Sequence, residues 1–161
     1  MKYSIKILLF STVLLLFVAS SCSKDDSELV KEGGPFKISE LAGNWEATSA
    51  FFGNDNVSVY IIVEGGSLSL AVQSSGRFTL DINPVDREGY TESGEMFWEL
   101  YEGDYYFAIK WDAYPDDWAT YGATYTDTTF FMNGGPDAGE YDFNNDGTSE
   151  QAVIAFEFKK V

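Results

Sequence analysis

From Gly43 to Val161 the chain carries no apolar repeat of helical period longer than one turn. Apolar residues alternate with polar ones instead, and Gly, Asn, Asp and Ser clusters break the pattern roughly every 8–12 residues. A period of two gives a strand one face for a core and one for water. The expectation is therefore an all-β domain of about eight to nine antiparallel strands. Strands joined in sequence order close most simply into an up-and-down barrel, which leaves no exposed edge. A two-sheet β-sandwich is the alternative.

Three hairpins can be placed in register, because a one-residue slip would turn each apolar set outward. Val59, Ile61 and Val63 lead to Gly65-Gly66, and Leu68, Leu70 and Val72 follow it, so a two-residue turn would set Val63 opposite Leu68. Ser74-Ser75-Gly76 makes a three-residue loop that pairs Val72 with Phe78, Leu70 with Leu80 and Leu68 with Ile82. A turn at Gly103-Asp104 sets Met96, Trp98 and Leu100 against Trp111, Ile109 and Phe107. Further strands are expected over about 43–52, on both sides of Thr126-Asp127, and over 152–159.

The N-terminus follows different rules. Lys2 and Lys6 precede an apolar run from Ile7 to Val18, and small residues, Ala19-Ser20-Ser21, precede Cys22. That is the layout of a secretory signal over residues 1–21. The run is shorter than the ~20 residues of a spanning helix. Ala19-Ser20-Ser21-Cys22 resembles the lipobox of bacterial lipoproteins, which implies that Cys22 is acylated and becomes the mature N-terminus. Ser23-Lys24-Asp25-Asp26 resembles the Lys-plus-acidic signal that exports some lipoproteins to the outer face of the outer membrane. The resemblance implies a lipid-anchored, surface-exposed protein of the cell outer membrane. Residues 22–37 are polar and punctuated by Gly33-Gly34-Pro35, and read as a flexible acidic tether. Residues 38–161 form the folded domain.

Leu41-Ala42-Gly43-Asn44-Trp45 opens that domain. Leu-x-Gly-x-Trp before a first strand resembles the start of lipocalin-like (calycin-type) β-barrels, in which the Trp closes one end. Gly65-Gly66-Ser67-Leu68-Ser69-Leu70, Ser75-Gly76-Arg77-Phe78-Thr79-Leu80, Glu92-Ser93-Gly94 before a strand, and Tyr141-Asp142-Phe143-Asn144-Asn145-Asp146-Gly147 extend the likeness over most of 38–161. Where such domains set an Arg over the Trp, this chain offers Lys159 and Lys160.

Composition closes off much chemistry. With no His and one Cys, Ser-His-Asp and Cys-His catalysis, imidazole-bound metals and an intrachain disulfide are excluded. Asp plus Glu number 26 against 10 Lys plus Arg, a net charge of −16, so nucleic acid is not an expected partner. Loss of residues 1–21 removes two lysines and leaves a charge of −18.

Two constellations remain. Asp142, Asn144, Asp146 and Glu150, with the carbonyl of Thr148 and Gly147 at the sixth place, have the oxygen spacing of a Ca²⁺ loop. The twelfth place holds Val153, which excludes an EF-hand, and Asp146-Gly147 is equally a hairpin turn. Trp98, Trp111, Tyr114, Trp118 and Tyr121, beside Asp112, Asp116 and Asp117, suit stacking on sugar or other flat rings at a barrel mouth. Rings on strands also simply fill cores. Carboxylate pairs ~5–9 Å apart would serve a glycan hydrolase, but 26 acidic residues guarantee accidental pairs. The expectation is a non-enzymatic, lipid-anchored protein that binds a small-molecule or glycan ligand. The alternative is an accessory subunit of an outer-membrane complex.

Overall fold

In the computed structural model residues 27–161 are described, and the signal, Cys22 and the residues up to Asp26 lie outside them. The strands are β1 (Glu28–Val30), β2 (Gly43–Gly53), β3 (Ser58–Tyr60), β4 (Ser67–Val72) and β5 (Arg77–Asn83), followed by β6 (Tyr90–Tyr101), β7 (Asp104–Trp111), β8 (Ala119–Tyr125), β9 (Thr129–Tyr141) and β10 (Glu150–Lys160). All pairings are antiparallel. The order β6-β5-β4-β2-β10-β9-β8-β7 returns to β6 through its pairing with β7, so eight strands close a barrel. The barrel reading therefore holds, and the sandwich does not. β1 and β3 are additions on the edges that β6 and β2 leave free.

The 74–76 hairpin has the expected register, Val72 to Phe78 through Leu68 to Ile82, with Gly76 at φ +87°. The third hairpin turns one residue earlier, at Glu102-Gly103, both with φ above zero, and pairs Trp98 with Phe107 and Met96 with Ile109. That shifts the register by two, so every side chain keeps its expected face. The first hairpin does not form. β3 pairs with β2, setting Val59 opposite Phe52, and β4 pairs with a different stretch of β2, Gly43 to Glu46. Residues 61–65 coil back through Glu64 N–H to the Tyr60 carbonyl and Gly66 N–H to that of Ile61, and Val63 is left 85 % exposed. Eleven-residue β2 is long enough for two short strands on one edge, which alternation alone does not reveal.

The described part of the expected tether is docked on the barrel. β1 pairs with β6, Lys31 Nζ reaches Glu95 Oε1 at 2.6 Å and the Met96 carbonyl at 2.7 Å, and Gly34 lies flat against Trp98, where a Cβ would collide. The chain then forms a 3₁₀ turn, Ile38–Leu41, whose Ile38 and Leu41 are fully buried. Trp45 lies buried beneath it and donates its Nε1 hydrogen to the Leu41 carbonyl at 2.8 Å. Lys160 Nζ stands 5.0 Å from the Trp45 ring centroid. The lysine thus meets this indole by a cation–π contact. Phe36, Trp98, Phe107, Phe130 and Phe158 fill this end with rings at centroid distances of 4.9–6.4 Å.

Candidate functional site

The other end is not filled. A cavity of about 490 Å³ opens there, floored by Phe52, Leu80, Ile82, Ile154, Phe156 and Trp111. Its size falls in the range of small-molecule pockets. The connections between β2 and β4, β5 and β6, β7 and β8, and β9 and β10 surround this mouth, whereas the short hairpin turns lie at the plugged end.

The connection over 112–118 borders the opening and is pinned at Asp112 and Tyr114. Arg77 donates to both carboxylate oxygens of Asp112, at 2.7 and 2.6 Å, and Ser93 Oγ donates to the same group at 2.6 Å. These bonds hold the Asp112 carboxyl down at about 2. Tyr114 then reaches across to β9 and donates its hydroxyl hydrogen to Glu140 Oε1 at 2.8 Å. Past Trp118 the cavity extends to Glu99 and Thr120, which share the outward faces of β6 and β8.

A bulge in β9 shapes the opposite wall. Between Ala152 and Ile154 of β10, the partner on β9 jumps from Gly139 to Gly134. The extra residues include Gly135 and Pro136, and proline has no N–H to give a ladder. The bulge brings Asp137, Ala138 and Gly139 to the cavity.

Of the five aromatic residues singled out in sequence, Trp111, Tyr114 and Trp118 line the cavity. Tyr121 stands behind Trp111: it accepts the indole hydrogen at 2.9 Å and donates to the Ala138 carbonyl at 2.5 Å. Burial pushes its hydroxyl up to about 12, so it stays a donor. Trp98 is elsewhere, buried at the plugged end with its Nε1 hydrogen on the Phe36 carbonyl at 2.8 Å.

Glu92 was not among the residues expected from sequence. It lies on β6 in the same row as Tyr90, Gly94, Met96 and Trp98, the row that faces the interior. The signal was present: counting back in twos from Met96 reaches Glu92. Glu92-Ser93-Gly94 reads in sequence as lying before the strand, whereas β6 begins at Tyr90. Burial and the nearby negative charge of Glu140 raise its carboxyl above the ordinary range. Among the described residues no hydrogen bond or ion pair engages that carboxylate, and none of the cavity-lining residues is a lysine or arginine. The loop cation Arg87 is turned to the Asp142 carbonyl, to Asp86 at 2.9 Å and to the face of Tyr141 at 5.2 Å.

The 142–150 loop is held by its own oxygens. The Asp142 carboxylate accepts from Asp146 N–H at 3.1 Å and Gly147 N–H at 2.8 Å. Asp146 Oδ1 accepts from Thr148 N–H at 2.8 Å, and Glu150 Oε2 from Phe143 N–H at 2.9 Å. Asn144 Nδ2 bridges Asp146 and Glu150, each at 3.1 Å. Asn145 takes φ +57° and Gly147 φ +87° to close the turn. Among the described residues no three acidic side chains are grouped as a metal site.

With this geometry in hand, the chain can be set beside known proteins: no family model, curated protein or solved structure matches it.

Proposed function

We propose that this protein is a non-enzymatic, lipid-anchored binding protein of the outer membrane surface, and that its barrel mouth takes a small-molecule or saccharide-like ligand. The observation that carries the reading is the asymmetry of the barrel. One end is packed with rings, and the other keeps a cavity of about 490 Å³ with an apolar, aromatic floor and polar walls. Such a lining stacks on a flat or apolar ligand and orients its polar groups. The direction of β1 supports the anchor. Glu28 pairs with Leu100 and Val30 with Trp98, so the chain enters at the plugged end. An acyl group on Cys22, six residues before Glu28, would hold that end to the membrane and leave the mouth facing outward.

The test is native mass spectrometry of the protein purified from its own cells. An adduct of constant mass that disappears in Trp111→Ala and Trp118→Ala supports the reading, and a bare parent protein counts against it. A second reading, an accessory subunit of an outer-membrane complex, is favoured by Tyr101, Tyr105 and Tyr106, which are exposed together on the β6–β7 hairpin. In the same experiment that reading requires a second polypeptide in place of a small adduct.

A further inference from the structure

The charge of the cavity narrows what it can hold. We infer that the mouth selects a positively charged organic ligand, a protonated or quaternary amine on an apolar or aromatic body. The inference rests on the ligand-binding reading above and adds the ligand's chemical class. Three observations on the cavity carry it. The floor is apolar and aromatic, so it suits a hydrophobic body. The walls carry Glu92, Asp117, Asp137 and Glu140, with no lysine or arginine among the lining residues. Glu92 occupies an interior barrel position, where its carboxylate has no bonding partner among the described residues and feels the charge of Glu140.

The Glu92 carboxylate is partly desolvated in the cavity and is also repelled by that of Glu140. A bound ammonium relieves both costs, and the rings of Trp111, Trp118, Tyr90 and Tyr114 line the same cavity, which suits cation–π contact. A neutral ligand would leave the repulsion in place, and an anion would add to it. The net charge of −16 extends the same preference outward, drawing cations toward the mouth at low ionic strength.

The purified full chain can be titrated, with tryptophan fluorescence as readout, against three probes of similar shape: 2-phenylethylammonium, 2-phenylethanol and 3-phenylpropionate. We expect the ammonium to bind about tenfold more tightly than the alcohol, with the carboxylate weakest. Glu92→Gln and Glu140→Gln should each erase most of that preference, chiefly by weakening the ammonium. Glu28→Gln, at the plugged end, changes the net charge equally and should leave the preference intact. If the alcohol or the carboxylate binds as well as the ammonium, the inference is overturned and the small-ligand reading stands. If no probe binds while native spectra retain an adduct, the inference is again overturned alone. If neither a probe nor an adduct is seen, both fall. An equal loss of preference in Glu28→Gln would mean that the general field, not the cavity, selects charge, and would also overturn it.

Discussion

Glu92 faces the cavity at a cost to the fold. Its folded carboxyl is raised above the ordinary 4.5, by burial first and by Glu140 second. The charged and titratable groups around it are Glu140 and Asp137 on β9, Asp117 and Tyr114 on the 112–118 connection, and Tyr90 on its own strand. A raised carboxyl means that the folded state keeps its proton longer than the unfolded chain. Its stabilising contribution is complete below the unfolded value and fades as pH rises through the folded one. Glu92→Gln should therefore melt higher than the parent near pH 7 and alongside it near pH 3.5, as thermal unfolding followed by circular dichroism will show. Asp112, pulled down by Arg77 and Ser93, runs the other way: its contribution is present above 3.8 and is lost as pH falls through about 2. The indoles divide in a similar way. Trp98→Ala should cost about 3–5 kcal/mol in denaturant unfolding, because it empties a ring-packed end. Trp118→Ala, on a half-exposed ring beside Phe97, should cost less and act mainly on ligand affinity.

At the scale of elements, the turns decide register, and two glycines separate strain from crowding. Gly76, at φ +87°, has the Met96 carbonyl oxygen 2.6 Å from where a Cβ would sit. Gly103, at φ +91°, has open space around that position. Gly103→Ala should cost only the left-handed backbone penalty, about 1–2 kcal/mol. Gly76→Ala should cost clearly more, since β6 must also move, and paired urea curves will rank them. The 142–150 loop makes a different prediction. Its carboxylates are already met by N–H donors, so Asp142→Ala should lower stability by about 1–3 kcal/mol with no cation involved. Melting temperature should then be the same in Ca²⁺ and in chelator, and a rise with Ca²⁺ would instead assign the loop's oxygens to the ion. Register was legible in sequence where alternation met a short turn, as at Ser74-Ser75-Gly76. It was not legible where Val59 and Ile61 belonged beside β2, because alternation specifies a face and says nothing about the neighbour.

For the whole molecule the consequence is polarity along the barrel axis. The 3₁₀ turn, Trp45 and the docked stretch from β1 to Phe36 seal one end, and the four longer connections ring the other. Vesicle-reconstituted, acylated protein should show little quenching of Trp111 and Trp118 by lipids brominated near the headgroup. Strong quenching of those two indoles, read with Trp45→Phe and Trp98→Phe variants, would mean that the mouth faces the bilayer.

Sequence by itself determined the all-β class, the meander and the inward rows of most strands, because each rests on short-range period and turn chemistry. It also carried the net charge and the absence of histidine, which no folding can alter. Only the tertiary structure decided that the barrel is filled at one end and open at the other. It placed Trp98 in the plug and Trp111 in the mouth, and it brought Glu92 within the field of Glu140, 48 residues away in the chain. Those outcomes depend on which residues far apart in sequence share a volume, and a period of two holds no record of volume.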